Sequence, residues 1–163
     1  MKIIAFVATL AVFAGAGGAY ALDAKVTKDT PATAEAAWAA IGDFCGIGQW
    51  HPVVEKCEIS GKDGAIFRTL HLKGGGKILE KQIEFDKAKM TYSYTIEESP
   101  LPVKNYKSTM RVAAKDTGAK DGGAVIEWSG NFDAKDAPDA DAVKTMTGVY
   151  QAGIDALVAK TSK

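Results

Sequence analysis

Residues 65–85, AIFRTLHLKGGGKILEKQIEF, decide the fold. Successive side chains of a strand point to opposite faces. Ala65 to Leu72 therefore places Ile66, Arg68, Leu70 and Leu72 on one face and Phe67, Thr69 and His71 on the other. Gly74-Gly75-Gly76 supplies a hairpin turn, and Lys77 to Phe85 returns as the partner strand with Ile78 and Glu80 on a common face. Arg68 and Glu80 thus sit among apolar neighbours, where an unpaired ion costs several kcal/mol. Two readings stay open. Either Arg68 receives the carboxylate or phenolate of a bound ligand while Glu80 orients it, or the two side chains satisfy each other as an ion pair across the hairpin. Glu84, four residues beyond Glu80, shares its parity and competes for Arg68. His71 falls on the opposite face and is expected at the solvent surface.

The same period extends outward from this hairpin. Val53 to Ser60 precedes it through the turn Gly61-Lys62-Asp63-Gly64, and Met90 to Glu97, Val103 to Ala113 and Ala124 to Phe132 come after it. Short strands in series at hairpin spacing predict an antiparallel meander, with Asp116 to Gly123 as a polar loop. Tyr92 and Tyr94, then Tyr106 with Ser108, then Trp128 fall on one inferred face. Aromatic rings with polar tips suit a pocket for a flat or oily molecule that is hydrogen-bonded at one end, and they equally suit an ordinary core.

Both ends of the chain switch period. Leu22 to Thr27 reads as an opening strand, terminated by Thr30-Pro31. Thr33 is placed to cap a helix over Ala34 to Ile41, with Trp38 and Ile41 on one side. Gly42, Gly46 and Gly48 break it into a short second helical turn around Asp43-Phe44-Cys45. At the other end Asp139 to Ala159 comes after Pro138, and Val143, Met146, Tyr150, Ile154 and Leu157 form a stripe at helical spacing. The sum is an α+β domain: a curved antiparallel sheet of about seven strands, two short N-terminal helices, and one long C-terminal helix packed across the sheet.

Residues 1–21 have the layout of a cleavable secretory signal: Lys2, an uncharged apolar run from Ile3 to Ala14, and Ala19-Tyr20-Ala21 as a cleavage site. The run is too short to span a bilayer. Cleavage after Ala21 of the 163-residue chain leaves 142 residues, enough for one domain over 22–163. This assignment places the protein in the periplasm or outside the cell, with no stable membrane insertion after cleavage. The full chain has a net charge of 0, and removing Lys2 takes it to about −1. Its charges are interspersed, so there is no electrostatic footprint for nucleic acid or anionic lipid. Cys45 and Cys57 are the two cysteines. In an oxidising compartment an even count invites a disulfide; two separate buried thiols are the alternative. No metal is expected, since two Cys and the distant His51 and His71 lack ligand-pair spacing. No cofactor is expected either: Gly74-Gly75-Gly76 lacks the Lys-Ser/Thr and following helix of a phosphate loop.

In order along the chain stand Trp38, Gly42-Asp43-Phe44 with Ile47, Trp50-His51-Pro52-Val53, Cys57, Gly61 and Arg68-Thr69-Leu70 with Leu72. Next are Gly75-Gly76 with Ile78 and Glu80, Tyr92-Ser93-Tyr94, Ser99-Pro100-Leu101-Pro102-Val103 and Asn105-Tyr106. Trp128-Ser129-Gly130 with Phe132, and Thr147-Gly148-Val149-Tyr150, close the series. With the order of elements, these residues make the whole mature chain resemble the SRPBCC superfamily. This is the START-like, polyketide cyclase–dehydrase and lipid-transport group with the helix-grip fold. The similarity is to an exported bacterial branch that includes accessory proteins of methanol dehydrogenase. It implies a cavity between sheet and terminal helix, with Trp50-His51-Pro52 at its mouth. The expected pocket comprises Trp50, His51, Arg68, Glu80, Tyr94, Tyr106 and Trp128, with no catalytic residue assigned. The function expected first is a binding protein for a small hydrophobic or amphipathic ligand. The resemblance also implies two alternatives: a cyclase or dehydratase, or an accessory protein that docks on an exported dehydrogenase. His51 has the ordinary pKa range of a general base, but no second group at catalytic spacing accompanies it.

Overall fold

The structure is a computed structural model that describes residues 21–115 and 123–162. The secretory-signal assignment, apart from Ala21, and the expected loop from Asp116 lie outside the described residues. Seven strands form one antiparallel sheet: β1 (Leu22–Thr30), β2 (Val54–Lys62), β3 (Ala65–Leu72), β4 (Lys77–Asp86), β5 (Thr91–Glu98), β6 (Val103–Ala114) and β7 (Ala124–Ala134). Their spatial order is β1-β7-β6-β5-β4-β3-β2. The meander is therefore unbroken from β2 to β7, and the first strand closes against the last. Helix α1 (Ala34–Ile41) comes after β1, and α2 (Asp139–Thr161) packs on β1, β7 and α1.

Helix α1 has the expected bounds. Thr33 Oγ1 accepts a hydrogen bond from the Ala36 N–H, which satisfies one of the donors a helix start leaves free. The expected second helix is corrected. A single 3₁₀ turn, Gly46–Gln49, takes its place, and it lies beyond Asp43-Phe44-Cys45. The Asp43 carboxylate accepts from the Cys45 N–H at 2.9 Å. That local bond competes with helix propagation, and the nearby Gly46 and Gly48 disfavour an α-helix. Cys45 and Cys57 form a disulfide with their Cα atoms 5.6 Å apart. It ties the segment before the 3₁₀ turn to β2, an edge strand whose side chains beyond Val54 are otherwise mostly exposed.

The stripe on α2 is buried through Met146, Tyr150, Ile154 and Leu157, with Ala142 and Gly153 joining it and Val143 half-buried. Together with Ile41, Phe44, Met110, Ile126, Trp128 and Phe132 these side chains form the core between the sheet and the two helices.

One expectation about the central hairpin is corrected. Glu84 does not share the inner face with Glu80. The β4–β5 ladder shifts register between Gln82 and Glu84, and an inserted residue inverts the facing of the rest of the strand. Glu84 is consequently exposed and pairs with Ser93, while Phe85 turns inward and stacks on Tyr92 at 5.8 Å.

Because the disulfide closes a short loop, the chain-entropy contribution is about 3 kcal/mol. Replacing Cys45 and Cys57 together by Ser is expected to lower the unfolding free energy in urea by about that amount, with a denaturant slope that does not fall, since the unfolded chain becomes less constrained.

Candidate functional site

Arg68 and Glu80 face each other directly across β3 and β4. Both are buried, at 0 % and 3 % exposure. Arg68 Nε donates to Glu80 Oε2 and Arg68 Nη1 donates to the carbonyl oxygen of Phe44. The guanidinium lies 4.1 Å from the ring centre of Phe44 and 4.8 Å from that of Tyr94. Its Nη2 has no hydrogen-bond partner among the described residues, and the ring faces supply the attraction there. Burial works against the charge of Arg68, but Glu80 and the neighbouring tyrosines hold its pKa above the ordinary value. Burial raises the pKa of Glu80, and Arg68 opposes that rise.

Beside this pair, strands β5 and β6 and helix α2 contribute a line of hydroxyls that Trp128 of β7 joins through its N–H. Trp128 Nε1–H donates to Ser108 Oγ at 3.0 Å and to Tyr94 Oη at 3.1 Å. Tyr94 and Tyr106 hydroxyls are 3.4 Å apart, and Tyr106 and Tyr150 hydroxyls 2.5 Å. Ser108 donates its own proton to the Ser129 carbonyl oxygen. Burial raises the pKa of all three tyrosines, Tyr150 to about 12 and Tyr94 and Tyr106 well above the phenol value. They are neutral hydroxyls at physiological pH. Tyr150 comes from α2, and its hydroxyl fits only because residue 130 has no side chain: a Cβ there would stand 2.3 Å from the oxygen.

His51 is buried at the exit of the 3₁₀ turn. Its Nδ1 accepts from the Val53 N–H at 3.4 Å, which leaves Nε2–H to donate to the Val149 carbonyl oxygen at 3.1 Å. Burial lowers its pKa, helped by the nearby charge of Arg68, although the bond to Val149 opposes the shift. The ring is wedged between Trp128 and α2, where a Cβ on Gly153 would meet His51 Cδ2 and Trp128 Cζ3 at 2.7 Å each. Both nitrogens are spent on backbone, so the imidazole ties the segment between the 3₁₀ turn and β2 to α2.

A cavity of about 60 Å³ opens between these groups. Leu70, Ile78 and Trp128 of the sheet, Ile47 of the 3₁₀ turn and Met146 of α2 form its apolar wall. Val53, Val54, Leu72, Ile96, Leu101 and Val149 extend the apolar lining, and Val53 is 45 % exposed. Glu80, Tyr94, Tyr106 and His51 are its polar members. Of the seven side chains the sequence singles out, five line this cavity. The other two stand behind it. Trp50 packs edge-on against Trp128 and donates its Nε1–H to the Ile41 carbonyl oxygen, and Arg68 lies beneath Phe44 and Tyr94. Sequence reading missed Phe44 as the roof over Arg68, and Met146 and Val149 as cavity lining. Only the helical stripe flagged Met146, and nothing local marks Phe44. His71 is partly exposed and paired with Glu58 at 2.7 Å. Among the described residues no cluster of His, Cys, Asp or Glu has metal-binding geometry.

The model of the polyketide cyclase/dehydrase and lipid transport family matches residues 21–161. The chain belongs to this family. Among solved structures it is similar to the protein XoxI from Bacillus cereus, with 27% identity and a TM-score of 0.78 over 85% of this chain and 94% of that one. An uncharacterised protein from Bacillus thuringiensis has 26% identity and the same TM-score, over 87% of this chain and 100% of that one. The Zhui aromatase/cyclase from a Streptomyces species shares the fold at 18% identity and a TM-score of 0.68, over 87% of this chain and 94% of that one. No functionally curated protein matches the sequence.

The geometry makes two measurable predictions. Replacing Arg68 alone by Met leaves a buried carboxylate without its counter-charge and is expected to cost about 3–5 kcal/mol in urea unfolding. The double change of Arg68 and Glu80 to Met is expected to recover most of that loss, because two apolar groups of similar volume replace the pair. The lowered pKa of His51 means that the folded protein refuses a proton the unfolded chain accepts. Its contribution to stability is complete above pH 6.5, the unfolded value, and is lost as pH falls from there toward the folded pKa. Denaturation curves for His51→Gln, which cannot titrate, should lack this part of the acid sensitivity.

Proposed function

We propose that the protein is an exported binding protein that holds a small hydrophobic or amphipathic molecule in the cavity between the sheet and α2. The observation that carries this reading is the cavity's composition: apolar walls that run to the exposed Val53, with polar members Glu80, Tyr94 and Tyr106. Such a lining suits a molecule with an oily body and one polar end. The volume limits the guest. About 60 Å³ accommodates roughly four to six non-hydrogen atoms, below the range of about 300–1,000 Å³ typical of drug-sized ligands. A larger guest requires Val53 and Leu101 at the rim, or Met146 and Val149 of α2, to give way. Export is supported by the Cys45–Cys57 disulfide, since such bonds persist in oxidising compartments. No described helix is long and apolar enough to cross a membrane.

A catalytic reading has less support. His51, the residue type suited to a general base, has both nitrogens bound to backbone and a pKa lowered by burial.

The test is native mass spectrometry of the protein purified from the periplasm of its own cells, with intact mass locating the mature N-terminus. The expected result is a chain that begins at Leu22 and carries a non-covalent organic adduct, which is lost on filling the cavity with Met146→Trp. An empty protein whose thermal midpoint no apolar probe raises would exclude the binding reading. A retained residue 1–21 segment would exclude export by cleavage.

A further inference from the structure

We propose that the cavity selects an uncharged hydroxyl compound, an alcohol with a short apolar body, and reads its hydroxyl with Glu80 Oε1. The proposal rests on the binding reading above and names the chemical class it takes. Glu80 lines the cavity, and the hydrogen bond it makes among the described residues uses Oε2 alone. Oε1 is therefore an unspent acceptor at the polar end. The other polar members are committed differently. Both His51 nitrogens are bound to backbone. The Trp128 N–H is shared between Ser108 and Tyr94. Tyr94 accepts that bond, and its hydroxyl stands 3.4 Å from that of Tyr106, a long separation for a pair of hydroxyls, across which either can donate. The polar end thus presents one strong acceptor and one loosely engaged donor.

Three common head groups meet this pair differently. A hydroxyl both donates and accepts, so it satisfies Glu80 Oε1 and takes the Tyr94 proton. A carboxylate has no proton to give and would bring a second negative charge beside Glu80. The free donor that would welcome it, Arg68 Nη2, is not on the cavity wall but behind the rings of Phe44 and Tyr94. An ammonium has no acceptor for Tyr94 and adds net charge to a buried site where Arg68 and Glu80 already neutralise each other, which is costly where water is excluded. A purely apolar guest leaves Oε1 unsatisfied. Size agrees with a short body, since the volume admits roughly four to six non-hydrogen atoms.

The experiment titrates the mature protein at pH 7 with four probes of one size: 1-butanol, butyrate, butylammonium and 1-chlorobutane. The readout is the methyl resonance of Met146, which lines the cavity. The expected result is saturable binding of 1-butanol about ten-fold or more tighter than the other three, in line with a hydrogen bond to a charged group. In Glu80→Gln the carbonyl oxygen stays with Arg68 and an amide N–H replaces Oε1, so the preference for butanol should fall by about the same factor. Butyrate, butylammonium or chlorobutane binding as well as butanol would overturn the hydroxyl assignment while leaving the binding cavity in place. If no probe moved the Met146 resonance saturably, both readings would fall. The wild-type comparison decides between these results even if Glu80→Gln does not fold.

Discussion

The buried contact of Arg68 with Glu80 is the constraint around which the other parts are arranged. A guanidinium with no exposure to water must be compensated on every side. Here the compensation comes from three separate places in the chain: the carboxylate on the next strand, the carbonyl oxygen of Phe44, and the ring faces of Phe44 and Tyr94. The pair therefore draws the segment after α1 down onto the sheet. The Cys45–Cys57 bond holds the same segment from its other side. The irregular connection between helix and strand is a roof fastened at two adjacent residues.

That arrangement sets what the cavity offers. Arg68 is sealed under the roof, and of the pair only Glu80 lines the cavity. The carboxylate spends one oxygen on the arginine, and the other makes no hydrogen bond among the described residues. Next to it, the Trp128–Tyr94–Tyr106–Tyr150 line joins three strands and α2 by hydrogen bonds whose members are too deeply buried to ionise. Such a network orders the side chains around a small space and keeps the helix in one position relative to the sheet. His51 adds a further tie, from the 3₁₀ turn to the backbone of α2 at Val149.

Much of this was legible in the chain. The period-two segments, the glycine-rich turn at 74–76 and the helical stripe ending at Leu157 specify the meander and its covering helix, because hydrophobic periodicity is a local property. Alternation also placed Arg68 opposite Glu80 and put Tyr94, Tyr106 and Trp128 on one face. It failed at Glu84, where a register shift between Gln82 and Glu84 reverses the facing; no turn residue announces that bulge. It failed again at the second helix, where a side-chain bond from Asp43 and the glycines favour a 3₁₀ turn over an α-helix.

The sequence by itself determined the strands, the first and last helices, their order and the identity of the buried charged pair, since each is set by side-chain spacing along a strand or helix. Only the tertiary structure decided which member of that pair faces the cavity. Strand parity puts Arg68 and Glu80 on the same face and cannot rank them. The roof over Arg68 comes from Phe44, twenty-four residues away, and the cavity volume is set by how closely Met146 and Val149 of α2 approach the sheet. Both are matters of packing between distant segments, and packing distance has no period in the sequence.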